Sequence, residues 1–499
     1  MDLRLRMARH TLGKHIRKLS KHQDLPPAAI DRLPAEVLEQ VFKVAVPFHI
    51  SKECNTAVLR LCWVSLRWRR IARQFPFLWA SLRIMVPQFA DPKSDQRRIR
   101  FWQMIDEWIE RSAGLRLFLA LENSPGCDYG WLVCAACQQL YQRVFKKYFS
   151  RIQHLEGVTR HLFTQFSSEP YPMVELQSLV FNVISVKAGR KTWSSLSSFT
   201  PNLAQLSLHD TISQPYSLAS LPPLRNLTHL STRIYGYKAW IEHFRLCPRL
   251  QEAVIYYCHI SPFQMQPDSF DKGPVSLLKL TSLTVIFAND GTGVDLGMFY
   301  CMNMPLLMTL RLGSFHLRGF IIPAGRPPPM ILDHVKTVQR LSLIFDNLSR
   351  PEFHEVLLNL PDLEILDIQD CIDIEQVLSD LRIADEEYSY MPFLPRLRTI
   401  ILDIRQVVEI DFKVLQAHLD GFLTRRRKNK VDEGCSLHIK FYFSGPALKA
   451  FRTFRYGMKF ELQGFSHEFL FWDQDVGWSG GRWKYRLDAE EGRWVEGIR

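Results

Sequence analysis

The apolar positions of this chain change their period along its length. Val37, Leu38, Val41, Phe42 and Ala45 recur at helical spacing on one face. Pro34 stands ahead of them, where a missing amide hydrogen costs nothing in a first turn, and Asp31 is available as a cap. Val58, Leu61, Ser65, Trp68 and Ala72 then recur three and four apart, with Arg60, Arg67, Arg69 and Arg70 largely on the other sides. Phe75-Pro76 and Leu78-Trp79 close the segment. The spacing predicts a helical hairpin of about fifty residues, too short to bury a sufficient core alone. Such a hairpin needs a partner surface.

From about residue 101 the pattern is different. Phe101, Ile105, Trp108 and Ile109 are expected to face inward from a helix, and the alternation of Leu115-Arg-Leu-Phe-Leu-Ala-Leu reads as a strand. An apolar-x-x-apolar-x-apolar pattern then begins at Leu176, Leu203, Leu227, Leu250, Leu280, Leu307, Val338, Leu363 and Leu397, often just after a proline such as Pro201, Pro223, Pro248, Pro305, Pro361 or Pro395. Successive starts lie 23 to 34 residues apart, within or slightly above the leucine-rich-repeat range. Each unit would lay down one short strand and return through a helix or irregular arm, burying its apolar side only when neighbours stack on it. Nine copies of one pattern argue for a curved solenoid over residues 100–450 rather than a doubly wound sheet or a stack of helices. The repeat consensus places Asn or Cys three residues beyond the last leucine, and only Cys258 and Cys371 fill that position.

Between and just after the inward leucines lie the residues of the opposite face: Ser207, His209, Ser231, Arg233, Tyr256, Thr309, Arg311, Arg340, Asp367 and Asp403. This mixture suits a protein or peptide partner, with Tyr and Arg as frequent energetic anchors. His209, Arg233, Tyr256, Arg311, Arg340, Asp367 and Asp403 are the candidate substrate contacts. Two stretches interrupt the repeats: Pro323 to Pro329, a loop or polyproline segment, and Thr424 to Gly434, expected as a charged linker. Residues 451–499 are rich in aromatics, and the turn signals Ser479-Gly480-Gly481 and Glu490-Glu491-Gly492 predict hairpins that cap the open end.

Composition narrows the classes. With 499 residues, 46% hydrophobic and 23% charged, the chain has too many core formers for disorder. Its net charge of +12 comes almost wholly from a basic tail within residues 1–27 and from Arg425, Arg426, Arg427, Lys428 and Lys430. The body is therefore nearly neutral, which argues against a nucleic-acid docking face. The second basic cluster fits a nuclear import signal and an exposed loop equally well. Ten scattered cysteines read as reduced thiols, and no apolar run of 18 residues or leader pattern occurs, so a cytoplasmic or nuclear protein with no membrane segment is expected.

A search for chemistry finds no catalytic residue. There is no phosphate loop, and Gly291-x-Gly293-x-x-x-Gly297 opens no well-capped helix. His467-Glu468 lacks a second histidine four residues after the first, and Cys134-Ala-Ala-Cys137 has no second pair, so neither completes a metal site. No Gly-x-Ser-x-Gly elbow marks a nucleophile. The chain is expected to be non-catalytic and to need no metal or cofactor.

The order Leu33-Pro34-x-Glu36-Val37-Leu38-x-x-Val41-Phe42, then Leu61-x-x-Val64-Ser65-x-x-Trp68-Arg69-x-Ile71-Ala72, then Pro76-x-Leu78-Trp79 resembles the F-box motif over its whole length. Two departures are Ser65, where that family often has cysteine, and a longer loop from His49 to Thr56. The segment Trp108 to Ser112 followed by a strand is similar to the large fungal-type F-box family. The resemblance covers the chain to about residue 450. It implies an α/β protein with an N-terminal helical F-box at 28–85 followed by an irregular leucine-rich-repeat solenoid. It also implies docking on a Skp-type adaptor, and through it a cullin scaffold, while the solenoid selects a protein substrate for ubiquitin transfer. Leu33, Pro34, Val37, Leu38, Val41, Phe42, Leu61, Val64 and Trp68 would then build the adaptor face or its support. A non-catalytic interaction scaffold without ubiquitin transfer is the alternative.

Overall fold

The computed structural model describes residues 33–46, 54–85, 95–122, 135–158, 172–183, 196–210, 224–234, 241, 243–258, 275–288, 294–295, 302–314, 320–321, 336–344, 356–369, 377, 381, 394–403, 412–428, 438–444, 466–472, 482–488 and 493–498. The basic tail, Asp31, Cys134, Pro223, the glycines Gly291, Gly293 and Gly297, the proline segment 323–329, Cys371 and the turns at 479–481 and 490–492 lie outside these residues. The chain divides into two compact units, Met1–His154 and Leu155–Arg499.

The first unit begins with helix α1, Ala35–Ala45. Pro34 caps it in an extended conformation without a side-chain hydrogen bond, and its carbonyl accepts from the Leu38 amide at 3.1 Å. Leu38 and Phe42 are buried, whereas Ala45, expected on the same face, is exposed. The expected second helix is two helices, α2 (Cys54–Val64) and α3 (Leu66–Gln74). The break is at Ser65, whose backbone is extended and whose Oγ accepts from the Trp68 amide at 3.1 Å. A serine competes for backbone donors and favours a helix start over a helix interior, which is why the apolar spacing runs through while the helix does not. The core packs Phe42 on Trp68 with ring centroids 5.0 Å apart, and Trp79 donates from its indole to the Ala72 carbonyl at 2.7 Å.

Strand β1 (Ser81–Met85), helix α4 (Asp95–Arg111) and strand β2 (Leu117–Glu122) follow, with β1 and β2 paired in parallel. Arg83 and Glu122 form an ion pair at 2.7 Å between the two strands. Trp102, Ile105, Trp108 and Ile109 are the buried positions of α4. Phe101, expected inward, is only half-buried, because Trp102 takes the position three before Ile105. Helix α4 is followed by Ala113 and Gly114 at φ 46 and 81, the left-handed turn that lets the chain reverse into β2.

The second unit is a parallel-sheet, solenoid-like arrangement with some helices. Strands β3 (Ile152–Val158, which crosses the division between units), β4 (Ser178–Val183), β5 (Gln205–Asp210), β6 (His229–Ile234), β7 (Glu252–Cys258) and β8 (Ser282–Ala288) come first. They are followed by β9 (Thr309–Ser314), β10 (Arg340–Ile344), β11 (Ile365–Gln369), β12 (Thr399–Asp403), β13 (His438–Ser444) and β14 (Ser466–Trp472). From β4 to β14 each strand pairs in parallel with the next in chain order. The last strands, β15 (Arg482–Asp488) and β16 (Arg493–Ile498), pair antiparallel, β15 on β14 and β16 on β15.

The sequence repeat has a direct physical cause. Its three inward positions are buried in all nine copies, none more than 8% exposed, with Thr232 filling the third in the copy that begins at Leu227. Before the strand, the amide of the first apolar residue bonds the carbonyl three residues back: Leu176 to Met173, Leu203 to Thr200, Leu227 to Leu224, Leu250 to Cys247, Leu280 to Leu277, Leu307 to Met304, Leu363 to Leu360 and Leu397 to Leu394, at 3.1 to 3.2 Å. This is a tight turn, and Pro201, Pro248, Pro305, Pro361 and Pro395 occupy its second position, where a fixed φ is favourable. At the strand entry two successive amides share one carbonyl of the preceding repeat. Ala204 and Gln205 donate to Gln177, Thr228 and His229 to Ala204, and Gln251 and Glu252 to Thr228. The same seam continues through Thr281, Met308, Gln339, Glu364 and Arg398 at 2.7 to 3.1 Å.

Helix α5 spans Phe412–Lys428 and buries Leu415, Leu419 and Phe422. The charged linker expected from Thr424 is therefore helical as far as Lys428. Arg and Lys are good helix formers, and cations at a helix C-terminus complement its dipole. Among the described residues no helix is long and apolar enough to cross a membrane.

Two stability predictions arise from this packing. A Cβ on Gly313 would lie 3.0 Å from the Ile344 Cβ, so Gly313→Ala is expected to cost about 1 to 3 kcal/mol. Urea unfolding checks it. Burial pushes the Cys247 thiol up to about 12. The folded protein then holds that proton above the ordinary thiol range of about 8.5, so its contribution to stability is complete below that pH and is lost as pH rises towards the folded value. Cys247 should resist iodoacetamide at pH 8 until the chain unfolds, as peptide mapping would show.

Candidate functional site

Two surfaces carry residues that a fold alone does not require. On α1, Leu38 and Phe42 point into the core while Val37, Val41 and Val44 form an exposed apolar stripe, Val44 at 88% exposure. Trp63 and Val64 at the end of α2 and Leu66 at the start of α3 are also exposed, Leu66 at 76%. The Ser65 break places these three at a helix junction, and the Arg67 guanidinium donates to the Leu33 carbonyl, tying the start of α3 to the entry of α1. Large apolar groups are thus exposed together on a small helical unit, the kind of patch that a partner surface can cover.

The nine residues expected here divide by role. Leu38, Phe42, Leu61 and Trp68 are buried and support the surface from beneath. Pro34, Val37, Val41 and Val64 are exposed, and Leu33 is half-buried. Val44, Trp63 and Leu66 were not anticipated. Val44 had a signal, since it continues Val37 and Val41 at helical spacing.

The second surface is the outward face of the parallel sheet. Register places Thr284, Arg311, Ser342, Asp367 and Ile401 in one row across β8 to β12, and Gly313, Ile344, Gln369 and Asp403 in the next. One hydrogen-bonded cluster forms across β9, β10 and β11. Asp367 Oδ2 accepts from Arg340 at 3.3 Å, from the Ser342 hydroxyl at 3.2 Å and from Gln369 Nε2 at 3.1 Å. Gln369 Oε1 in turn accepts from Arg311 at 3.0 Å. Two polar atoms of this cluster are buried and have no hydrogen-bond partner: Asp367 Oδ1 and Arg311 Nε. The Asp367 side chain is only 4% exposed, while that of Arg340 is 46% exposed.

Of the seven expected substrate contacts, Arg311, Arg340 and Asp367 meet in this cluster, and Asp403 stands opposite Gln369 in register. Arg233 and Tyr256 are register partners on β6 and β7, on the far side of β8 from the cluster. His209 lies on β5, and its side chain is outside the described residues. Ser342 and Gln369 were missed, although they occupy the same between-leucine and next-after positions as the residues that were chosen. Among the described residues no group of His, Cys, Asp and Glu is placed to hold a metal ion. The cluster pairs Arg340 with Asp367 by charge and links Arg311 to the same carboxylate through Gln369. No family model and no curated protein matches this chain.

Proposed function

We propose that this chain is the substrate-recognition subunit of an SCF-type cullin-RING ubiquitin ligase, working in the cytoplasm or nucleus. Its N-terminal helices act as an F-box on a Skp-type adaptor, and the parallel sheet acts as a leucine-rich-repeat solenoid that holds a protein substrate. The chain itself makes and breaks no covalent bond and needs no cofactor. It raises the local concentration of its substrate beside a ubiquitin-charged enzyme. The observation that carries this reading is the exposed Val37, Val41 and Val44 stripe above the Phe42–Trp68 core, at positions whose sequence resembles the F-box motif.

The test uses the full chain purified with and without a Skp-type adaptor. Wild type is expected to form a stoichiometric complex. Val37→Asp with Val41→Asp changes only exposed positions, so the fold should persist while two buried charges weaken the interface by roughly a hundredfold or more. Titration calorimetry reads the affinity and circular dichroism the fold. A wild-type chain that ignores the adaptor overturns the reading.

A further inference from the structure

The tip of a tight turn asks for nothing apolar. Before the strands of the second unit, the two middle positions of the turn hold pairs such as Pro201 and Asn202, Arg225 and Asn226, Pro248 and Arg249, or Pro361 and Asp362, which suit a bend in water. Before β8 and β9 that pattern breaks. Leu278 and Leu306 take middle positions at 57% and 53% exposure, and Met308 follows at 45%. These two turns are neighbours, because the Leu277 amide donates to the Asn303 carbonyl at 2.8 Å and the Met308 amide to the Thr281 carbonyl at 2.9 Å. Three large apolar side chains thus stand together on the strand-entry rim of the sheet, where neither turn nor core needs them. Charge on this rim has one sign. The turns before β6 to β10, residues 224–228, 247–251, 277–281, 304–308 and 336–339, hold Arg225, Arg249, Lys279 and Lys336, all exposed, and no Asp or Glu. The run ends before β11, where Asp362 pairs with Arg396 at 2.9 Å.

We propose that this rim is a docking site for an acidic, leucine-rich segment of a partner protein. Its apolar side chains pack on Leu278, Leu306 and Met308, and its carboxylates face the four cations. The inference goes beyond the receptor reading and holds whether or not the chain binds an adaptor. Charge complementarity selects the partner: carboxylates between leucines answer both halves of the rim, whereas a basic segment would meet four like charges. Five turns at the strand spacing cover roughly 19 Å, the reach of about six extended residues. One cation is held in place in advance. The Arg249 guanidinium donates to Asn226 Oδ1 at 3.2 Å, and Asn226 Nδ2 donates to the Pro201 carbonyl at 2.8 Å, which lowers the cost of ordering it on binding. Nucleic acid and a bilayer suit the rim less well, because the five turns contain no Phe, Tyr or Trp on which a base could stack or which could anchor at a membrane interface.

The test is fluorescence anisotropy on the full chain with four labelled probes: decapeptides of alternating Glu and Leu, of alternating Glu and Ser, and of alternating Lys and Leu, and a ten-nucleotide oligouridylate. The Glu–Leu peptide is expected to bind about tenfold more tightly than each of the others. Leu278→Ser with Leu306→Ser removes the apolar half of the rim, and Arg225→Glu with Lys279→Glu reverses charge on the other half. Each pair should weaken the Glu–Leu peptide about tenfold. All four positions are exposed, so the fold should persist; thermal melting checks it, and if one pair unfolds the other decides. No binding of the Glu–Leu peptide, another probe within about threefold of it, or a change under about threefold in a folded pair overturns the site. So does cosedimentation with phosphatidylserine vesicles that both pairs abolish and the Glu–Leu peptide does not displace. Adaptor binding is measured separately. Failure there refutes the receptor reading and leaves this site standing, and a chain that binds the adaptor but not the peptide refutes this inference alone.

Discussion

Trp68→Ala is expected to destabilise the N-terminal unit by about 3 to 5 kcal/mol, the cost of emptying a large buried aromatic site. Trp68 is 6% exposed and lies 5.0 Å from the Phe42 ring, and it sits in the helix whose start Ser65 defines. Its removal takes away the floor beneath the exposed valines of α1, so the variant should lose adaptor binding together with the fold. Trp68→Phe separates ring packing from the indole N–H. That N–H is buried without a partner, so replacing it leaves no orphan behind and should cost less than about 1.5 kcal/mol. Urea unfolding of the full chain measures both. A Phe variant as damaged as the Ala variant would show that the ring is not what holds α1 and α3 together.

Leu341→Ala should produce the corresponding loss in the second unit, about 2 to 5 kcal/mol. Leu341 is fully buried, with Leu310 and Leu366 beside it in register on β9 and β11. Stacked repeats depend on their immediate neighbours, so the damage should spread along the sheet rather than stay at one site. Hydrogen exchange should report lost protection in β9, β10 and β11 while the amides of α1 to α3 keep theirs. By contrast Arg340→Ala, one residue earlier in the same strand and half exposed, should stay within about 0.5 kcal/mol. Equal effects from the two substitutions would contradict the assignment of inward and outward faces.

The repeat was legible because its cause is local. Three apolar positions at offsets of three and five, with a proline two residues earlier in several copies, describe a turn and a strand completely enough to place nine strands. The helical hairpin was legible in its apolar spacing but not in its helix count. Ser65 reads as one more member of a helical stripe until its hydroxyl is seen to take the Trp68 amide. Phe101 and Trp102 show the same ambiguity, since two adjacent aromatics leave the inward face undecided until a neighbouring element chooses. Thr424 to Lys428 looked like a linker because charge runs are usually solvated, and a helix can be both charged and solvated.

At the sheet face the sequence separated the outward positions of the strands from the inward ones but did not reveal the cluster. Arg311, Arg340 and Asp367 stand on three strands, separated in sequence by whole repeats. Only register decides that Ser342 and Gln369 complete them. The two orphan atoms are invisible at that level, because an unmet hydrogen bond is a property of packing and not of residue type.

The doubled amide donation at the entries of β5 to β12 has a consequence for how this chain can change. It fixes the alignment of these strands at their first residues, before the returning segment has been traversed, so the length of that segment has no say in which side chains stand next to each other. That is why strand starts 23 residues apart and strand starts 34 residues apart keep the same frame. Insertions between strands can accumulate without scrambling the outward rows, and the outward face can be rewritten one side chain at a time without disturbing the arms.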